Sequence, residues 1–150
     1  RRKMLQEIGV FDSAYFYGNE DTDIGWRANI AGWKVIFNPN AVAYHEENAT
    51  IKNMAWYTTF HGTKNRIRSL MKNYSSTNVI KYLSLHLLMV LGKTVISNNK
   101  SARLNAIAWN AVHILSTLQE RQHVQKTRKI DDKEIMAYVF SRRLPKRAKS

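Results

Sequence analysis

Three carboxylates cluster within four positions of the chain, at Glu20, Asp21 and Asp23. Carboxylates this close repel one another, so the cluster indicates a use for negative charge, as metal ligands, as a general base or as helix caps. Capping is the simplest use, because Asp21 or Asp23 can accept hydrogen bonds from the free N–H groups of a helix that runs to about Ala31 and that Gly32 ends. On these residues alone, chemistry and capping both stay open.

An aromatic run, Tyr15, Phe16 and Tyr17, comes shortly before the acidic cluster. The three side chains are too close in sequence to share one helical face, so at least one of them is exposed or lines a cleft. We expect Phe16 to pack in the core, and Tyr15 and Tyr17 to contact a substrate.

Two further candidates for substrate binding, Trp26 and Arg27, lie in the predicted helix that follows. Core packing is the alternative for Trp26. Asp23 can pair with Arg27, because side chains four residues apart meet on one face of a helix.

Positive charge is concentrated in a second predicted helix, over about 53–73, where Lys64, Arg66 and Arg68 follow each other closely. We expect Lys64 and Arg66 to meet a diphosphate or a lipid headgroup, and a solvated basic face is the alternative. Lysine at position 64 carries the charge but not the bidentate fork of arginine, which makes it less suited to clamping a phosphate.

These residues belong to an ordered series that resembles the second half of the catalytic domain of the family 2 inverting glycosyltransferases, especially the bacterial rhamnosyltransferase-like branch. The resemblance covers about residues 1–75 and, more loosely, a basic segment around 121–135. The series consists of residues 8–12, the aromatics at 15–17, the acidic segment 20–23, the pair Trp26-Arg27, the segment 32–35 and His45.

The resemblance implies transfer of a sugar, with inversion, from a nucleotide-diphosphate sugar to a hydroxyl of a cell-surface glycan or a lipid-linked acceptor. Asp21 matches the aspartate of the family's Glu-Asp pair, and it is the implied base because a hydroxyl needs a carboxylate to take its proton near neutral pH. Glu20 is the second catalytic candidate and could instead orient the acceptor. His45 matches the histidine that completes the coordination of a divalent cation, Mn²⁺ or Mg²⁺, and imidazole suits Mn²⁺ better.

Helices and strands must position these residues. The hydrophobic pattern predicts helices over about 2–8, 21–31, 53–73, 79–96, 101–118 and 131–139, and β-strands over 33–37 and 41–45 on either side of a turn at Pro39. This alternation predicts an α/β fold. With the resemblance, the expected class is the C-terminal part of a GT-A-type nucleotide-sugar transferase domain, followed by a mainly α-helical basic extension.

The expected organisation is an acceptor-side half of the catalytic domain over 1–75, an amphipathic helical extension over 76–140 and a basic disordered tail over 141–150. The family's N-terminal half, with its Asp-x-Asp metal motif, has no counterpart in the series. We therefore expect a fragment with little or no activity alone.

Charge divides the chain unevenly. Residues 1–60 carry six Lys or Arg against seven Asp or Glu, whereas residues 61–150 carry 18 against four. A strongly basic half attracts phosphate, whether in nucleic acid, in anionic lipid or in a lipid-linked diphosphate. With the resemblance, this charge predicts an anionic membrane surface as a partner, no nucleic acid, and a cytoplasmic location on the inner face of the plasma membrane.

The alternative function is a non-enzymatic basic module that binds nucleic acid or an anionic membrane surface. Its support is the spread of Tyr74, Tyr82 and Trp109 among the basic residues, since positive charge with aromatic rings suits single strands. The apolar stretch 79–96 is interrupted by Lys81 and Lys93, which argues against a simple membrane span and leaves a buried helix or an interfacial one. The absence of cysteine excludes disulfides and thiolate metal sites.

Overall fold

The computed structural model describes residues 1–44 and 54–139, and within these ranges the chain forms seven helices. They are α1 (Arg2–Ile8), α2 (Glu20–Ile30), α3 (Ala55–Asn73), α4 (Ser76–Ile96), α5 (Lys100–Val112), α6 (Ile114–Lys126) and α7 (Asp132–Val139). The central element is α3, which packs against α2, α4, α5 and α6. His45 and the predicted tail over 141–150 lie outside the described residues.

The ends of the first two helices follow from local backbone chemistry. Gly9 and Gly32 have φ angles of +81° and +82°, which glycine adopts without a steric cost, and they come directly after the ends of α1 and α2 as the pattern predicts. Asn19, in the left-handed region, precedes α2 and makes no capping hydrogen bond through its side chain. The capping expectation is confirmed for Asp21 to the extent that its carboxylate accepts a hydrogen bond from one free N–H of the first turn, that of Thr22, at 2.6 Å. All three acids lie in this first turn, where the helix dipole favours them.

The predicted α/β fold is wrong for the part of the chain that the structure describes, which holds helices and no strand. The expected turn at Pro39 is present, since the N–H of Ala41 donates to the carbonyl of Asn38 at 3.1 Å. The flanking residues are not paired, and the large apolar side chains of Ile36, Phe37 and Tyr44 are exposed. Two short β-prone segments form a stable sheet only with a third strand or a packed face, and these residues have neither here.

The predicted helix over 101–118 is two helices, because His113, with φ −97° and ψ 20°, interrupts the regular backbone between α5 and α6. α4 differs in another way from its expectation. Only 6% of the residues in its most apolar 18-residue segment are buried, so the alternative of a buried core helix is wrong. By length and composition alone, this helix is the one in the described chain that could cross a membrane.

Candidate functional site

Arg27 fastens the segment that connects α1 to the acidic cluster. Its Nε donates to Asp23 at 2.9 Å, and its two terminal nitrogens donate to the carbonyls of Ile8, Gly9 and Val10 at 2.5, 3.2 and 2.8 Å. The predicted pair of Asp23 and Arg27 is confirmed. With its donors used on the backbone and only 4% of its surface exposed, Arg27 is placed to hold the fold and not to contact a substrate.

Asp23 lies at the centre of a buried polar network between α2 and α3. Its carboxylate accepts hydrogen bonds from the Tyr15 hydroxyl at 3.1 Å and the Asn73 amide at 2.8 Å, and the Lys72 ammonium lies 2.9 Å away. Tyr15 is completely buried, whereas Phe16 is 81% exposed. The expected roles of these two aromatics are thus reversed, because the Tyr15 hydroxyl finds a buried acceptor that phenylalanine could not use.

The loop between α1 and α2, residues 9–19, carries the aromatic run and is called the aromatic loop below. A second carboxylate, Asp12, connects this loop to α3. It receives Lys72 Nζ at 2.8 Å and the Arg68 guanidinium at 3.0 Å. Burial acts to raise the pKa of Asp12, but the hydrogen bond and charge of Lys72 and the charge of Arg68 hold that pKa below its ordinary value. Two of the cations that the sequence places on α3 therefore serve as internal counter-ions.

Lys64 and Asn65 extend the same buried face of α3. The ammonium of Lys64 donates to the carbonyl of Ala14 at 2.7 Å, and the amide of Asn65 lies within 3.0 Å of the carbonyls of Tyr15, Tyr17 and Gly18. Lys64 is 3% exposed, so its predicted contact with a diphosphate is not available in this structure. Residues 64, 65, 68 and 72 recur at the spacing of one helical face, which explains why they are buried together.

The other two acids of the cluster, Glu20 and Asp21, form no ion pair among the described residues. Asp21 is exposed, and one of its oxygens accepts hydrogen bonds from the backbone and hydroxyl of Thr22. Glu20 is half-buried, and its Oε2 atom is shielded from solvent without a hydrogen-bond partner among the described residues. A shielded carboxylate oxygen without a donor is costly, which marks this end of α2 as a place where a donor from a ligand would be favoured.

A pocket of about 190 Å³ opens beside this end of α2. The rings of Trp26 and Tyr74 form one wall, stacked at a centroid distance of 4.6 Å and an angle of 14°. The indole N–H of Trp26 is shielded and has no acceptor in the described structure. The lining combines these apolar surfaces with polar side chains, namely Asn19, Thr22, Trp26, Arg66, Ser69, Leu70 and Tyr74.

Arg66 is the exposed cation of this pocket. It projects from α3 away from Lys64, Arg68 and Lys72, and it forms no hydrogen bond or ion pair with any residue that the structure describes. The same Arg66 also lines an adjoining pocket of about 260 Å³ between α3 and α4, together with Leu70, Tyr74, Tyr82, Leu85, His86, Met89 and Met136. The guanidinium thus stands where a polar pocket meets an apolar one.

Tyr17 is placed elsewhere. Its ring lies 5.6 Å from the ring of Tyr57 and 6.2 Å from that of His61, within an aromatic cluster to which Phe16 and Phe60 also contribute. Burial lowers the pKa of His61, and the charge of Lys64 adds to this shift. With a 36% exposed ring, Tyr17 is accessible at the edge of this cluster and not in the pocket of Arg66.

A larger cleft, of about 410 Å³, lies between the segment 8–13 and α6. Three of its charged lining residues, Asp12, Arg27 and Lys72, are already paired with one another or with the backbone, whereas Glu120 and His123 on α6 are exposed. We prefer the pocket of Arg66 because it combines an exposed guanidinium with the shielded Trp26 N–H, which has no acceptor among the described residues.

No group of three His, Asp or Glu side chains that could hold a metal ion occurs in residues 1–44 and 54–139. The predicted Mn²⁺ or Mg²⁺ depends on His45, whose position is not described. The cation stays a prediction.

Of the predicted substrate-binding residues, Trp26 and Arg66 line this pocket, and their role stays a prediction. Asn19, Thr22, Ser69 and Tyr74 line the same pocket, and the sequence did not indicate them as substrate-binding residues. Asn19, Thr22 and Trp26 are three and four residues apart, a spacing that places them on one side of α2. That spacing could be recognised in the sequence. The side of α3 that faces α2 could not, because it depends on which helices pack together.

The predicted nucleic-acid alternative finds less support in these positions than in the sequence. The ring of Trp109 stacks on His113 at 4.0 Å, and Tyr82 lies 5.6 Å from Tyr74, so both rings are engaged within the chain. Burial of Lys64, Arg68 and Lys72 also removes three cations from the surface.

Comparison with known proteins gives a partial match. Over 62 residues the chain is 36% identical to N-acetylglucosaminyl-diphospho-decaprenol L-rhamnosyltransferase from two strains of Mycobacterium tuberculosis. The match covers 41% of this chain, and the chain spans about a fifth of the length of these relatives (20%). No protein-family model and no solved structure matches. The similarity supports a relationship with glycosyltransferases, at the level of glycosyl transfer in general.

Proposed function

We propose that the chain forms the acceptor-binding part of a glycosyltransferase that transfers a sugar, with inversion, from a nucleotide-diphosphate sugar to a hydroxyl of a lipid-linked acceptor. The observation that carries the proposal is Asp21, an exposed carboxylate without a cationic partner in the described structure. Asp21 does not itself line the pocket of Arg66, but it lies next to Thr22, which does, in the first turn of α2. The partial match to a rhamnosyltransferase supports the same reaction class.

In this proposal Asp21 takes the proton of the acceptor hydroxyl as its oxygen attacks the anomeric carbon of the donor. The bond from that carbon to the nucleoside diphosphate breaks, and the diphosphate leaves with the bonding pair. The side chains of Asn19, Thr22 and Ser69 supply donors and acceptors for sugar hydroxyls, and Glu20 orients the acceptor. No step is assigned to a divalent cation.

Arg66 binds a phosphate of the acceptor in this account. A guanidinium forms paired hydrogen bonds with phosphate oxygens, and the adjoining apolar pocket suits the hydrocarbon that follows a lipid diphosphate. The mycobacterial relative is named for a lipid-linked diphosphate of this kind, N-acetylglucosaminyl-diphospho-decaprenol. A glycan acceptor without phosphate would leave Arg66 without a role.

The test is sugar transfer by the complete product of the gene that contains this sequence. A panel of nucleotide-diphosphate sugars is supplied with a saccharide linked to a short isoprenoid diphosphate, and the anomeric configuration of the product is read by NMR. We expect transfer with inversion from one class of donor. Transfer with retention, or no transfer from any donor by a folded protein, would contradict the proposal. The isolated 150-residue chain is expected to have little activity, since donor binding is not assigned to its residues.

A further inference from the structure

We infer that the exposed side of α4 docks onto the surface of an anionic lipid bilayer. Ile80, Leu88 and Val95 are 72%, 68% and 75% exposed, and Leu91 is also exposed. These four residues recur at steps of eight, three and four positions, which keeps them on one side of the helix. Four large exposed apolar side chains on one side of a 21-residue helix, interrupted there by Ser84, are more than the scattered exposed residues of an ordinary surface.

The helix is placed along the bilayer surface and not across it. Lys81 is exposed among the apolar residues of α4, and Lys93 is exposed near the other end. Charge in the centre of a hydrocarbon layer is costly, whereas a helix in the interface lets each lysine stem lie on apolar surface while its ammonium reaches the headgroups.

The charge around α4 identifies the kind of surface. From residue 48 to residue 119 the chain contains no Asp or Glu, and it contains nine Lys or Arg. This stretch includes all of α3, α4 and α5. Lys81, Lys93 and Lys100 are exposed there, so an anionic leaflet would meet cations and no repelling carboxylate from these three helices.

Docking by α4 would bring the pocket of Arg66 to the bilayer. Leu85 and Met89 are exposed on α4, and they also line the pocket between α3 and α4 that contains Arg66. A lipid phosphate at the level of the headgroups would then be within the reach of the guanidinium. The inference stands on α4 itself and does not depend on the proposed sugar transfer.

The experiment is sedimentation of the 150-residue chain with vesicles of phosphatidylcholine, with and without 30 mol% phosphatidylglycerol, a composition of about one-third anionic lipid that mimics an anionic leaflet. We expect binding to the anionic vesicles, weaker binding in high salt, and release at alkaline pH. Leu88→Glu should lower the partition coefficient by about tenfold or more, because it removes a leucine side chain that docking would bury in the bilayer interface. Lys81→Gln combined with Lys93→Gln should lower it by about thirtyfold, from the attraction of two cations.

The matched control is Ile36→Glu, which places the same new charge on a side chain that is 79% exposed but lies outside the helices. It should bind vesicles like the parent chain, and circular dichroism of all variants should show unchanged helix. Equal binding to neutral and anionic vesicles, or binding of Leu88→Glu at the level of the control, would overturn the inference. Resistance to alkaline release would also overturn it, since that result indicates a helix that crosses the bilayer.

Discussion

The ammonium of Lys72 lies 2.9 Å from the carboxylate of Asp23, and both side chains are only 1% exposed. The same ammonium lies 2.8 Å from Asp12, so one cation on α3 joins the aromatic loop to α2. This arrangement fixes the position of α2, and therefore the pocket formed by Trp26, Tyr74 and Arg66, through buried charge as well as through apolar packing.

Replacing Lys72 with methionine should destabilise the protein strongly. The change removes the shared cation of Asp12 and Asp23, although each carboxylate keeps one arginine partner. The loss should therefore lie at or below the roughly 3–5 kcal/mol that leaving a buried charge without any partner costs. The measurement is the free energy of unfolding in urea. Lys93→Met is the control, because Lys93 is exposed and should change stability by no more than about 0.5 kcal/mol. Equal effects of the two substitutions would contradict the buried network.

Stability should fall in acid. Burial acts to raise the pKa of Asp132, but hydrogen bonds from Asn78 and Ser75 and the charge of Arg128 hold that pKa below the ordinary value of 3.8, as the partners of Asp12 do for Asp12. A carboxyl whose pKa is lower in the folded state binds fewer protons there. Its contribution to stability is thus present above its unfolded pKa and is lost as the pH falls through its folded pKa.

Urea unfolding from about pH 6 to pH 2 measures this dependence, with the loss expected to begin near about pH 5. Asp132→Asn should be less stable than the parent at pH 6 and should show a shallower decline in acid. If the free energy of unfolding instead rose as the pH falls from about 5 to about 3, the lowered pKa values of Asp12 and Asp132 would be contradicted.

Arg66→Gln should weaken binding of an acceptor that carries a diphosphate. Loss of a charge-assisted pair of hydrogen bonds predicts a rise in the acceptor KM of about tenfold, with little change in the KM of the donor. An unphosphorylated sugar acceptor should show no such difference. Arg2→Gln is the control, because Arg2 is an exposed arginine of α1 outside the pocket. An equal effect on both acceptors would remove Arg66 from phosphate binding.

Phe37→Ser should leave stability unchanged within about 0.5 kcal/mol, because the Phe37 ring is 87% exposed and makes no strand in the described structure. The measurement is urea unfolding of the 150-residue chain, with Ile30→Ser, at a fully buried position, as the destabilising comparison. A loss above about 2 kcal/mol for Phe37→Ser would mean that this segment is packed, and would restore the case for a strand.

The helices could be predicted from local patterns because their causes are local. α1 has the predicted bounds, α7 begins within a residue of the predicted start, and Gly32, at a φ of +82°, follows the C-cap residue of α2. The strands could not be judged in the same way, since β-prone residues such as 33–37 form a strand only where a neighbour supplies hydrogen bonds.

In the candidate site, too, contacts within one helix could be predicted from the sequence and contacts between distant segments could not. The sequence identified Asp23 with Arg27 correctly because residues four apart on a helix meet. It could not show that Lys64 turns inward to the carbonyl of Ala14 while Arg66, two residues later, stays exposed. That difference follows from which face of α3 meets the aromatic loop, and that contact joins positions 50 residues apart.

The most direct measurement is the rate of sugar transfer by the complete gene product carrying Asp21→Asn, compared with Asp131→Asn, which changes an exposed aspartate outside the pocket. If Asp21 is the base, its amide variant should lose about a hundredfold or more in kcat, while donor binding and the free energy of unfolding are retained. Asp131→Asn should transfer sugar at the parent rate. Transfer by Asp21→Asn at the rate of that control would contradict the assignment of the base and the account of this site.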